Sequence, residues 1–130
     1  MVLDTSVLLA YLLREPGTDE VIAVLLGGHC LVSSVTLTEL EVKLVGRGEF
    51  THGQVVSAID SLLSVTQEVA FDRPCRERAA FYYARRSPYK LSLGDAACLG
   101  TAEALGIGVL TAEKNWGTLP GLPFKVTLIR

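Results

Sequence analysis

With three cysteines, two histidines and one tryptophan, the 130-residue chain has little material for several kinds of chemistry. Cys30, Cys75 and Cys98 are odd in number, widely spaced and set in apolar runs, with no CxxC pair and no zinc spacing. They read as buried free thiols. His29 and His52 fall near expected element starts, so neither is expected to serve as a catalytic base. Neither charge sign dominates: 12 basic and 14 acidic residues give a net charge of −2, with no global basic field to attract nucleic acid. Uninterrupted apolar stretches such as Val21 to Leu26 are far short of the roughly 20 residues of a membrane span. No basic segment precedes the first apolar run, which Asp4 interrupts. No signal peptide is therefore expected, and a cytoplasmic location is. Repeats, low-complexity tracts and linkers are also lacking, and residues 1–130 read as one domain.

What the chain does have is apolar residues, 49% of the total with a mean hydropathy of +0.38. That suits strands buried on both faces, which read as continuous apolar runs. Strands are expected at residues 2–4, 30–33, 65–70, 107–111 and 124–129. Helices are expected at 6–14, from 18 to Gly27-Gly28, at 36–45, from Thr51 or His52 onward, from Asp72 to near Ser87-Pro88, and from Ser92 to Leu105. A short turn or helix fills 112–118. Strands separated by helices imply an α/β fold, a parallel sheet with helices on both faces.

Four acids stand where strand-forming residues give way to a turn or helix: Asp4, Glu39, Asp95 and Glu113. In an open parallel sheet, residues just past the carboxyl ends of the strands converge on one crevice, the usual ligand site. Carboxylates meeting there at about 4 Å, at an effective dielectric near 20, repel by roughly 4 kcal/mol per pair. Such a pocket needs raised pKa values or cations, and its simplest occupant is a hard divalent metal. Each acid also has a structural reading. Glu39 lies three residues after Thr36 and Asp95 three after Ser92, the spacing of a capping box. Glu113 suits the first turn of a short helix. Asp4 is costly to bury without a partner.

The strings Val2-Leu3-Asp4-Thr5-Ser6-Val7, Ser34-Val35-Thr36-Leu37-Thr38-Glu39-Leu40, Leu91-Ser92-Leu93-Gly94-Asp95-Ala96 and Leu110-Thr111-Ala112-Glu113-Lys114-Asn115-Trp116 occur in that order. The ordered set resembles the PIN-domain family, and the compact length is similar to its VapC-type toxin branch. The resemblance implies a three-layer α/β/α sandwich and a metal-dependent endoribonuclease that hydrolyses RNA with Mg²⁺ or Mn²⁺, one ion or two. It further implies a cognate antitoxin and a homodimer. Asp4, Glu39 and Asp95 match the three main acids. Glu113 falls where the family usually carries Asp, and its longer side chain would bind a metal directly or through water. Thr5, Ser6 and Thr111 match hydroxyls that orient carboxylates or their waters, and Asn115 is an auxiliary candidate.

Six basic residues crowd positions 73 to 90. Among them Arg78 and Arg85 join Tyr82 at helical spacing, with Arg86 beside them. Arginine with aromatics suits phosphate contact and base stacking; a solvated helix with an Arg73–Glu77 pair is the alternative. Other nucleotide and phosphate chemistries fit worse. A haloacid-dehalogenase-type phosphatase needs a second acid two residues after Asp4, where Ser6 stands. A receiver domain wants a late lysine just past a strand, and Lys125 lies within one. A dinucleotide-binding domain needs a Gly-x-Gly-x-x-Gly after the first strand, and there is none. The remaining rival is a PIN-fold binding module without activity, against which all four acidic positions are filled.

Overall fold

β1 (Val2–Leu3) lies at the centre of a five-stranded parallel sheet in the order β3-β2-β1-β4-β5. The structure is a computed structural model describing residues 1–130. After β1 come α1 (Thr5–Leu13), α2 (Thr18–Gly27), β2 (Leu31–Ser33), α3 (Ser34–Gly46), α4 (His52–Leu63) and β3 (Gln67–Val69). The second half holds α5 (Arg73–Ala84), α6 (Leu93–Leu105), β4 (Val109–Thr111), a 3₁₀ turn η1 (Lys114–Thr118) and β5 (Val126–Leu128). No helix is long and apolar enough to cross a membrane.

The strands are only two or three residues long, and their side chains divide between two cores. Leu3, Val32 and Leu110 face a cluster built by α1 to α4, with Val7, Leu8, Leu40, Val55 and Leu62 among its buried members. Val2 and Val109 face the opposite cluster, with Tyr82 of α5, Leu99 of α6 and Trp116 of η1. Alternate residues point to opposite faces of a strand, so helices on both faces complete a three-layer α/β/α sandwich.

Four of the six α-helices start where a side chain can bond the free backbone N–H groups. Thr51 and Gln54 close a capping box at α4, as do Ser92 and Asp95 at α6. Gly106 ends α6 at φ 68°, a left-handed conformation that glycine adopts without strain. Two helix starts lack a side-chain cap bond, and one expectation is corrected. Thr18 does not cap α2; Gly17 holds that position, and the Thr18 hydroxyl donates to Ala10 O and Glu15 O. Asp72 holds the N-cap position of α5, although its side chain makes no cap bond. α3 begins at Ser34 under a Ser33 cap, so Glu39 lies in its second turn and is no part of a capping box.

Candidate acidic site at the sheet switch point

Strand order reverses between β1 and β4: from β1 the chain builds outward through β2 and β3, then returns to β4 on the other side. Ligand crevices open at such points, outside the carboxyl ends of the strands. Asp4 follows β1 there and Thr111 ends β4, and the two touch. Asp4 Oδ2 accepts from Thr111 Oγ1 at 3.0 Å, from Ser6 Oγ at 2.6 Å and from Ser6 N at 3.3 Å. Oδ1 accepts no bond from the protein. The two hydroxyls are themselves fixed, since Ala112 N donates to Ser6 Oγ and Glu113 N to Thr111 Oγ1.

Asp4 is the N-cap of α1 and only 3% exposed. Burial pushes its pKa up to about 6 from an ordinary 3.8, and the charge of Asp95 adds to the rise. The bonds from Ser6 and Thr111 oppose it without cancelling it.

Glu39 and Asp95 reach the same crevice from α3 and α6, both half-buried. Thr5, itself buried, donates its hydroxyl to Glu39 Oε1. Asp95 Oδ2 accepts from Ser92 N at 2.9 Å, so it serves the capping box and faces the other acids at once. Its pKa is also raised, first by burial and then by the Glu39 charge, while the Ser92 bonds and Lys43 pull it down. Behind them Cys98 is fully buried; burial lifts its thiol well above the ordinary range, and Asp4, Asp95 and Glu39 reinforce the effect.

Three of the four predicted acids are thus brought together, while the fourth stands apart. Glu113 lies just before η1 with an exposed side chain that makes no hydrogen bond or ion pair; only its backbone N–H joins the site. Asn115 is turned to another task, donating its amide to Tyr89 O and tying η1 to the segment before α6. All donors at the crevice are hard oxygens, and no three His, Cys, Asp or Glu side chains close around one point. The chemistry of this donor set, with Oδ1 of Asp4 unused and two raised carboxyl pKa values, fits a hard divalent cation.

The α5 arginines take a different form from the one expected. Tyr82 is buried, 6% exposed and packed edge-on against Phe81 and Phe124, so it offers no stacking surface. The exposed aromatics are Phe81 and Tyr83. Arg85 lies 3.6 Å over the Phe81 ring and Arg86 4.4 Å over Tyr83, with Arg78 farther off at 5.9 Å from Phe81. The Arg73–Glu77 pair forms at 2.9 Å on the exposed start of the helix. Reasoning from sequence missed Gly94 and Lys43, the one beside Asp95 and the other one turn beyond Glu39. Only the turn spacing of Lys43 could have pointed to it.

The family model for the PIN domain matches residues 1–122. Among solved structures, a toxin–antitoxin complex from Klebsiella pneumoniae is 22% identical with a TM-score of 0.73, over 99% of this chain and 97% of that one. DNA-bound VapBC from Salmonella typhimurium is 18% identical with a TM-score of 0.74, over 96% of each chain. A member of the VapBC family of toxin–antitoxin systems from Mycobacterium tuberculosis is 20% identical with a TM-score of 0.66, over 98% of this chain and 96% of that one. No curated protein matches the chain significantly.

Proposed function

The chain belongs to the PIN-domain family, and from that membership we propose that it is a divalent-metal-dependent endoribonuclease, the toxin of a toxin–antitoxin pair. The observation that carries this reading is Asp4. It is a buried carboxylate at the switch point, held through Oδ2 by two hydroxyls, with Oδ1 unused and Asp95 close enough to repel it. A fold keeps such a group where it serves a ligand, because an unpaired buried charge costs stability.

Asp4, Glu39 and Asp95 would hold the cation, with Glu113 able to join at its longer reach. Bound Mg²⁺ or Mn²⁺ supplies a Lewis acid that activates water at neutral pH and offsets the charge of a phosphodiester. Ser6 and Thr111 fix one oxygen of Asp4, and Thr5 fixes one of Glu39, so the hydroxyls limit how the carboxylates turn. Arg78, Arg85 and Arg86 form an exposed cationic face with Phe81 and Tyr83, which suits the backbone and bases of single-stranded RNA.

The partner we assign is an antitoxin polypeptide with an apolar segment. A hollow of about 270 Å³ lined by Leu12, Leu13, Leu44, Phe50, Val55 and Ala58 is suited to receive it. We further assign a homodimer and a cytoplasmic setting. The test is incubation of purified protein with RNA in Mg²⁺ or Mn²⁺, with and without chelator, beside Asp95→Asn. Metal-dependent cleavage by wild type alone supports the proposal. RNA binding without cleavage in any metal would identify a non-enzymatic PIN-fold module instead.

A further inference from the structure

Gly94 is the second residue of α6, one before Asp95, with no left-handed backbone angle to require glycine. Glycine within a helix costs stability relative to alanine, so its presence there calls for another reason. The space around it supplies one. A β-carbon built at position 94 would lie 2.8 Å from Glu39 Cδ and 3.0 Å from Glu39 Oε1, and closer still to Oε2. Real β-carbons do not approach other atoms so closely. On its other side the same carboxylate accepts the Thr5 hydroxyl.

We propose that Gly94 is a positioning residue: its lack of a side chain lets the Glu39 carboxylate lie against the first turn of α6, beside Asp95. A methyl group at 94 drives that carboxylate out of the acid site and leaves the fold intact. The inference rests on the acid-site reading above.

Two other helical glycines show why the effect is local. At Gly100 a β-carbon would meet backbone, 2.8 Å from Ala79 Cα and 2.8 Å from Cys75 O, where α5 packs on α6 and neither helix can yield. At Gly53 the nearest atom is Thr51 Oγ1 at 4.0 Å, so a methyl fits freely. The obstacle at Gly94 is the tip of a flexible side chain, which can rotate away. Moving it also relieves repulsion between Glu39 and Asp95.

The test compares wild type, Gly94→Ala, Gly53→Ala, Gly100→Ala and Glu39→Gln by three readouts. These are the metal-free melting temperature, Mn²⁺ affinity by electron paramagnetic resonance of the free ion, and the ¹³C resonance of the Glu39 carboxyl. Gly94→Ala is expected to melt at or above wild type, as Gly53→Ala does, while Gly100→Ala melts below. It should bind Mn²⁺ about 10–100-fold more weakly, the range seen when a ligand is no longer held in orientation by its neighbours, and should shift the Glu39 resonance. Wild-type Mn²⁺ affinity with an unmoved resonance overturns the proposal. So does a melting temperature as low as that of Gly100→Ala, which would make 94 a packing position. Failure of the parent reading looks different: wild type and Glu39→Gln would bind Mn²⁺ equally or not at all, and both inferences would fall.

Discussion

Replacing Asp4 by Asn should stabilise the metal-free protein at neutral pH while abolishing cleavage. The carboxyl is 3% exposed, and burial, helped by Asp95, lifts its pKa from 3.8 to about 6. A raised folded-state pKa means that the native protein holds a proton the unfolded chain has released. Stability therefore falls as pH rises from about 4 to about 6, and the full cost is in place above that window. A shift of this size corresponds to about 3 kcal/mol at most, at 1.36 kcal/mol per unit. Asparagine removes the charge at nearly constant volume and keeps a carbonyl oxygen for Ser6 and Thr111. Its amide N–H₂ lacks an acceptor there, which returns about 1 kcal/mol. A net gain of about 2 kcal/mol should raise the melting temperature by roughly 4–10 °C in a domain of this size. Calorimetry in chelator at pH 7.5 and pH 4 measures it. The gain should be present at pH 7.5 and gone at pH 4, and RNA cleavage in Mg²⁺ should be lost. An Asp4→Asn protein that melts below wild type at pH 7.5 without metal would refute the reasoning, because the carboxylate would then be a net stabilising cap.

Glu113→Gln should lower cleavage at limiting metal and recover partly as metal is raised, whereas Glu113→Asp should retain activity; rates unchanged across the titration would make Glu113 a turn residue only. Replacing Arg78, Arg85 and Arg86 together by alanine should weaken binding of single-stranded RNA and flatten its salt dependence by about 0.7 in slope for each phosphate no longer neutralised. An unchanged slope would mean that this face is merely solvated.

Strand–helix alternation and the capping box at Ser92 were legible because they are local, set by residues a few positions apart. The three acids that gather were legible from their place after apolar strands and from their order along the chain. Side-chain direction was not. On α5 the inward stripe is Cys75, Ala79 and Tyr82 and the outward one Arg78, Phe81 and Arg85, both compatible with a helix, so periodicity alone could not assign Tyr82. Glu39 resembled a cap to Thr36 only until Ser33 proved to start the helix earlier. Glu113 follows Thr111 closely in sequence, yet the turn into η1 carries its carboxylate to the surface. Gly94 was illegible in principle, since its meaning depends on a carboxylate from another helix lying against it.

The central claim is that water activated at the Asp4–Glu39–Asp95 site cleaves RNA, and the products of cleavage in ¹⁸O-labelled water test it most directly. With Mn²⁺ present, mass spectrometry should find ¹⁸O in the terminal phosphate from the first turnover and no 2′,3′-cyclic phosphate at any time. All product should vanish with chelator or with Asp95→Asn. A cyclic phosphate would show that the ribose hydroxyl, not water, attacks, and cleavage that survives both chelation and that substitution would show that these carboxylates are not needed; either result would contradict the account.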